Sequence, residues 1–320
     1  MAKIDHGPSI SYLNHKAFKE CRRQWLFRYE PDVAASGQEF WELKRQGNLL
    51  PSSALLGRVV DDAITAALRH RLREGKWPNG IGKAVERVMV GYLRFSAEWV
   101  AAALNRDRWP KSKQRQAVDR FYYNSPLTEH ELTDLRRRAQ QLVERWFELP
   151  LRSELDSLPT ETWRVPESGV IPSFELEGMK VYAKYDFMTV EPGRLRIYDW
   201  KTGDVANGEQ GAIEQLHGYA IFAHREWGVP YEDMELIAVW LSANYLGRTK
   251  VDMSLVARLE RAWRHQIGVV AEGLRMVGSG EADIDAAFPT TTETWRCQGC
   301  IFRACARHPK AIGNPPENVG

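Results

Sequence analysis

Residues 184–203, KYDFMTVEPGRLRIYDWKTG, restrict the folding options of this chain more than any other stretch. Two runs of alternating apolar residues flank Pro192 and Gly193, and proline followed by glycine suits the two central positions of a tight turn. A hairpin symmetric about that pair sets Val190 against Leu195 and Met188 against Ile197. It also sets Asp186 against Asp199 and Lys184 against Lys201. Side chains alternate between the two faces of a strand, so Asp186, Asp199 and Lys201 share one face while Tyr198 and Trp200 take the other. Like charges directly across a strand pair are destabilising. A hard divalent ion, Mg²⁺ or Mn²⁺, reverses the sign of that effect because it binds carboxylate oxygens. Taken alone, an Asp-x-Lys on a strand is ordinarily an exposed, salt-bridged edge; the aspartate at matching register is what makes this one unusual.

The rest of the chain reads as α/β. PSSALLGRVVDDAITAALRHRLREG is a strong helical pattern, with Ser52 or Ser53 as cap and Gly75 as stop. SISYLNHKAFKECRRQWLFRYE reads as an earlier helix with Cys21 inside it. From about 79 to 150 the pattern is helical, with Thr128 and Glu131 spaced as a capping box. Beyond residue 160 short β-like runs alternate with turn residues. GAIEQLHGYAIFAHREWG then reads as a helix, MELIAVWLSA and GRTKVDMS as strands, and SLVARLERAWRHQIGVVAEGLRMV as a last long helix. Four segments follow: N-terminal helices over 1–78, a helical insertion over 79–158, a core over 159–290 and a cysteine-rich tail over 291–320.

Charge is nearly balanced, with 44 basic and 42 acidic residues, so any nucleic-acid surface has to be local. One candidate is RDRWPKSKQRQAVDRFYY, where Arg106, Arg108, Trp109, Lys111, Lys113, Arg115 and Arg120 interleave with Phe121, Tyr122 and Tyr123. Basic groups track phosphates and aromatic rings stack on bases; Arg136 to Arg138 extend the charge. The ordinary alternative is a solvated connection between helices. No segment approaches the roughly 20 apolar residues of a membrane span. The N-terminus lacks the apolar core of a secretion signal, so a cytoplasmic protein without membrane contact is expected.

In that reduced setting the four cysteines are not expected to pair as disulfides. Cys297, Cys300 and Cys305 lie in WRCQGCIFRAC, and Cys21 completes the set. A Cys-x2-Cys pair points to metal, and both structural zinc and a [4Fe-4S] cluster accept four thiolates. The spacing alone leans modestly toward zinc.

In order and spacing these motifs resemble the PD-(D/E)xK nuclease superfamily, in its RecB-like branch with an iron–sulfur cluster, which includes AddB-type nuclease domains and CRISPR-adaptation nucleases. DWKTG stands where that family commonly reads DYKTG, QLHGYA is similar to its Gln-x-x-x-Tyr helix through Gln215 and Tyr219, and GRVVD falls at its Gly-x-x-x-His. Asp61 therefore replaces the expected metal-binding histidine. The resemblance implies a restriction-endonuclease-like fold: a central mixed sheet flanked by helices, a helical insertion, and a four-cysteine cluster joining the N- and C-terminal segments. It implies Mg²⁺ or Mn²⁺ held by Asp61, Asp186, Asp199 and the Trp200 carbonyl. Catalysis would fall to Asp186, Asp199, Lys201, Gln215 and Tyr219, and a structural [4Fe-4S] cluster to Cys21, Cys297, Cys300 and Cys305, with zinc as the lesser occupant. The implied activity is phosphodiester hydrolysis in single-stranded DNA or at DNA ends, exonuclease in preference to endonuclease, with a helicase or integrase as partner. The alternative is a catalytically weak DNA-end-binding or partner-binding subunit of a recombination, CRISPR-adaptation or defence complex.

Overall fold

The computed structural model describes residues 9–104, 116–167 and 170–309. The chain divides into two compact units. The first comprises Met1–Leu49, Glu175–Val181 and Arg261–Gly320, the second Leu50–Phe174 and Tyr182–Glu260.

The second unit is built on a five-stranded sheet: β1 (Trp163–Arg164), β2 (Phe187–Glu191), β3 (Arg194–Lys201), β4 (Met234–Trp240) and β5 (Tyr245–Lys250), adjacent in that order. The β3–β4 pair is parallel and the other three are antiparallel, so the sheet is mixed. The β2–β3 hairpin has the register expected from its turn, with Val190 opposite Leu195 and Met188 opposite Ile197. Gly193 supplies the positive φ of 66° at the turn, a conformation open to glycine without steric penalty. The parallel β3–β4 pair needs a crossover, and helix α4 (Val205–Trp227) provides it before packing on both strands. Gly228, at φ 66°, ends that helix.

Three long helices precede α4: α1 (Ser52–Glu74), α2 (Ile81–Leu104) and α3 (Glu129–Glu148). Their apolar stripes meet one face of the sheet. Val59, Val60 and Ile64 of α1, Met89 and Tyr92 of α2, and Val143 and Trp146 of α3 share one core with Phe187, Tyr198, Trp200, Ile237 and Val239. The capping box of α3 forms as its sequence indicates: the Thr128 hydroxyl accepts from Glu131 N, and Thr128 N donates to the Glu131 carboxylate. The start of α1 differs from expectation. Pro51 is its N-cap and no side chain caps it; the Ser52 N–H donates instead to Asp119 Oδ1 at 3.0 Å.

In the first unit the expected single helix around Cys21 is two, Tyr12–Glu20 and Arg22–Tyr29. Cys21 leaves the helical region at φ −162° and caps the second helix, its sulfur accepting from Gln24 N. Trp25, stacked on Phe288 with ring centroids 6.0 Å apart, anchors one cluster with Phe18, Leu26 and Val270. Phe27, Leu43, Ile301 and Phe302 form another.

The expected four-cysteine cluster is corrected here. All four cysteines are free thiols lining one small pocket beside Phe27, Phe302 and His308. Among the described residues, no group of three or more His, Cys, Asp or Glu side chains is placed to hold a metal ion, so neither [4Fe-4S] nor zinc is supported. Burial raises the Cys297 thiol and pushes that of Cys300 to about 11, which favours the protonated forms. Residues near the two chain ends are joined by packing instead. Phe27 meets Phe302 edge-on at 5.6 Å, and Ala304 N donates to the buried Gln46 side chain at 3.3 Å.

Candidate active site

The site forms where β3 ends, on the face of the sheet turned to α4. Alternation along β3 sends Tyr198 and Trp200 into the α1–α3 core, leaving Asp199 and Lys201 on the opposite face. Asp199 is 1% exposed. Its Oδ2 lies 2.5 Å from Lys201 Nζ. Lys201 Nζ also donates to Gln215 Oε1 at 2.8 Å, Gln215 Nε2 donates to the Tyr219 hydroxyl at 2.5 Å, and Tyr219 donates to the Lys184 carbonyl at 2.5 Å. Gln215 and Tyr219 lie four residues apart on α4, one above the other on a single helix face.

Asp186 joins this group by a route that the hairpin register does not reveal. The β2–β3 ladder stops at Phe187 opposite Tyr198. Asp186, one residue before β2, uses its side chain in place of its backbone: Oδ2 accepts from Trp200 N at 2.8 Å. Asp61 on α1 faces two cations, with Lys184 Nζ at 3.4 Å and Arg58 Nη1 at 3.6 Å from its Oδ2. Its neighbour Asp62 is structural, accepting from the Tyr92 hydroxyl of α2 at 2.8 Å.

The electrostatics follow from this crowding. Burial raises the Asp186 carboxyl well above the usual range, and the charges of Asp61 and Asp199 raise it further against the pull of the Trp200 N–H and Lys201. Burial also raises Asp199, with Lys201 opposing and Asp61 reinforcing. For Lys201, burial pulls downward, but Asp199, Asp186 and Asp61 outweigh it, so the ammonium is held charged. Burial, then Asp199 and Asp186, hold Tyr219 far above the ordinary phenol value, which keeps it a hydrogen-bond donor.

Two glycines allow the backbone to approach closely. A Cβ at Gly57 would stand 3.3 Å from Thr202 Oγ1, so α1 lies against the residue following Lys201. A Cβ at Gly208 would stand 2.7 Å from the Trp240 ring, and Trp240 pairs with Lys201 across β3–β4.

All five residues expected to be catalytic are described in the second unit. Asp199, Lys201, Gln215 and Tyr219 form one bonded chain, Asp186 enters through the Trp200 N–H, and Asp61 stands beside Lys184. Trp200 contributes its N–H and its core packing. Sequence reasoning passed over Arg58 and the charge of Lys184. Their signals were Arg58 three residues before Asp61 on a helix, and Lys184 two residues before Asp186. In the basic–aromatic stretch, Arg106, Arg108, Trp109, Lys111, Lys113 and Arg115 lie outside the described residues. Arg120 is bonded to Glu131, Arg136 pairs with Glu86, and Arg137 and Arg138 pair with Asp134, as on a solvated helix face.

The expected Mg²⁺ or Mn²⁺ is also corrected. Among the described residues, no set of three or more candidate ligands is placed to hold an ion. The carboxylates are engaged elsewhere: Asp186 with the Trp200 N–H, Asp199 with Lys201, and Asp61 with Arg58 and Lys184. The donor set does not fit a resident metal, and no chemical step is assigned to one.

Among known families, residues 9–305 match the PD-(D/E)XK nuclease superfamily. No curated protein matches the chain. The match is to the superfamily at large. The narrower RecB-like, iron–sulfur reading is withdrawn, because four cysteine ligands distinguished that branch and these thiols are not placed as ligands.

Proposed function

The chain belongs to the PD-(D/E)XK nuclease superfamily, and from that premise we propose that its second unit hydrolyses phosphodiester bonds in DNA. The observation that carries this reading is the row Asp199–Lys201–Gln215–Tyr219, which holds a charged ammonium in fixed orientation beside a carboxyl of raised pKa. Hydrolysis forms a bond from a water oxygen to phosphorus and breaks the bond to the departing sugar oxygen, which leaves with the bonding pair and takes a proton from solvent. Negative charge gathers on the non-bridging oxygens, where a preorganised cation is most effective. Lys201 supplies that cation, and Asp199 with Gln215 orients it. Asp186 takes the proton from the attacking water, its basicity raised by burial and by the charges of Asp61 and Asp199. Tyr219 locks Gln215.

The substrate we favour is single-stranded DNA or a DNA end, with exonucleolytic action, a cytoplasmic setting and a helicase or integrase that delivers such ends. We assign the nuclease core to residues 159–290, with 79–158 as a helical insertion. Labelled single-stranded oligodeoxynucleotide incubated with wild type and with Lys201→Ala tests the reading, with chelator and with added divalent salts in parallel. Product that depends on Lys201 is expected. DNA binding without such product in any condition would overturn it.

A further inference from the structure

Lys184 occupies a position that no catalytic role assigned above uses. Its carbonyl is the last acceptor of the Lys201–Gln215–Tyr219 row, so its backbone is fixed to the reacting centre. Its side chain is 49% exposed, and the ammonium reaches Asp61 Oδ2 at 3.4 Å. Arg58, 32% exposed, approaches the same oxygen at 3.6 Å. Both contacts are longer than the roughly 2.7–2.9 Å of a well-formed charge-assisted hydrogen bond. Two cations therefore share one carboxylate oxygen loosely, at the accessible edge of a site whose inner cation, Lys201, is already committed to Asp199 and Gln215. One carboxylate oxygen shared between two cations leaves each of them weakly held at this edge. An incoming phosphate offers several oxygens where Asp61 Oδ2 offers one, and guanidinium geometry suits phosphate.

We propose that Lys184 and Arg58 form a phosphate-binding pair that seats the DNA phosphate next to the scissile one, exchanging Asp61 for the nucleic-acid backbone when the strand enters. This rests on the nuclease reading of the same site. The pair is a substrate-positioning device: it reads backbone charge, not base identity, and it affects binding more than the chemical step.

The test measures kcat and KM for a labelled single-stranded oligodeoxynucleotide over a salt series, using wild type, Lys184→Gln, Lys184→Arg and Arg58→Gln. Lys184→Gln is expected to raise KM several-fold with kcat little changed. It should also flatten the dependence of log KM on log salt by about 0.7, the loss of one phosphate contact on a single strand. Lys184→Arg should restore both. A fall in kcat with KM and salt slope unchanged would show that Lys184 only steadies Asp61, and would overturn the proposal. If wild type gives no product, the nuclease reading fails separately. Equilibrium binding of the same oligonucleotide then decides: a flattened salt slope in Lys184→Gln sustains the pair, and an unchanged slope or no binding by wild type removes it.

Discussion

Asp186 and Trp200 are joined by a side-chain-to-backbone hydrogen bond of 2.8 Å, the Trp200 N–H donating to Oδ2 where the β2–β3 ladder has already ended. Asp186 is therefore a structural acceptor as well as the carboxyl proposed to react, and two substitutions separate those roles. Asp186→Asn retains an acceptor and removes a charge that burial disfavours; it is expected to fold at least as stably as wild type and to lose cleavage. Asp186→Ala strands the N–H, at a cost of about 1–3 kcal/mol. Urea unfolding of both variants, with an activity assay, checks the pair.

Lys201 and Asp199 form a close ion pair in which the carboxylate is almost fully buried. Lys201→Met leaves Asp199 without its counter-charge, and breaking a buried pair from one side typically costs about 3–5 kcal/mol. Adding Asp199→Asn is expected to recover much of that stability while activity stays lost. A double-mutant cycle in urea measures the coupling.

The raised carboxyl pKa values set a direction for stability against pH. Asp186 in the folded protein keeps its proton to higher pH than in the unfolded chain, so the native state binds more protons. Stability from this group then falls as pH climbs from the ordinary carboxylate value, about 4, to the raised native one. Lys201, raised in the folded state, behaves at the alkaline end: its contribution is complete below its unfolded pKa and is lost as pH rises through the native value. Urea midpoints across pH should show a shallower decline for Asp186→Asn than for wild type.

Glycine at two helical positions leads to opposite outcomes. Replacing glycine by alanine in a helix gains about 1 kcal/mol of propensity. At Gly57 the new methyl meets only the Thr202 hydroxyl at 3.3 Å, so the net change should be small. At Gly208 it meets the Trp240 ring at 2.7 Å, and overpacking costs about 1–3 kcal/mol. Gly208→Ala is expected to lose both stability and kcat, since Trp240 sits opposite Lys201.

The cysteine-lined pocket allows a direct comparison. Cys297→Ser with Cys305→Ser is expected to leave the thermal midpoint close to wild type, because these thiols are not placed as a ligand set among the described residues. Phe302→Ala removes a fully buried ring that packs on Phe27 and should cost about 3–5 kcal/mol. A larger loss from the cysteine pair than from Phe302→Ala would reverse this account.

How far the sequence reached differs from residue to residue. The β2–β3 register was legible because a Pro-Gly turn and an apolar alternation agree on it, and the Gln215–Tyr219 pair because helical spacing stacks them. The placement of Asp186 was only half legible. Strand periodicity put it in a ladder, whereas the ladder ends one residue short and a side-chain bond takes over. The sequence runs Cys21 into a continuous helix because apolar positions suiting a helix lie on both sides of it, Phe18 before and Trp25 and Leu26 after; a sulfur acting as a helix cap has no periodic signature. The expectation of a metal rested on residue types and on the family resemblance, but what engages a carboxylate depends on three-dimensional neighbours such as Arg58 and the Trp200 N–H, which composition and spacing do not encode.

An ammonium carries three hydrogens. Gln215 claims one from Lys201, and its amide is held in that sense because the Tyr219 hydrogen is already given to the Lys184 carbonyl; Asp199 Oδ2 meets the ammonium as an ion pair without hydrogen-bond geometry. One hydrogen of this lysine is thus held on a fixed bearing toward Gln215, and two remain beside a carboxylate that attracts them by charge. On the proposed reading, those two hydrogens are what this lysine offers to phosphate oxygens, while Gln215 fixes where the ammonium stands.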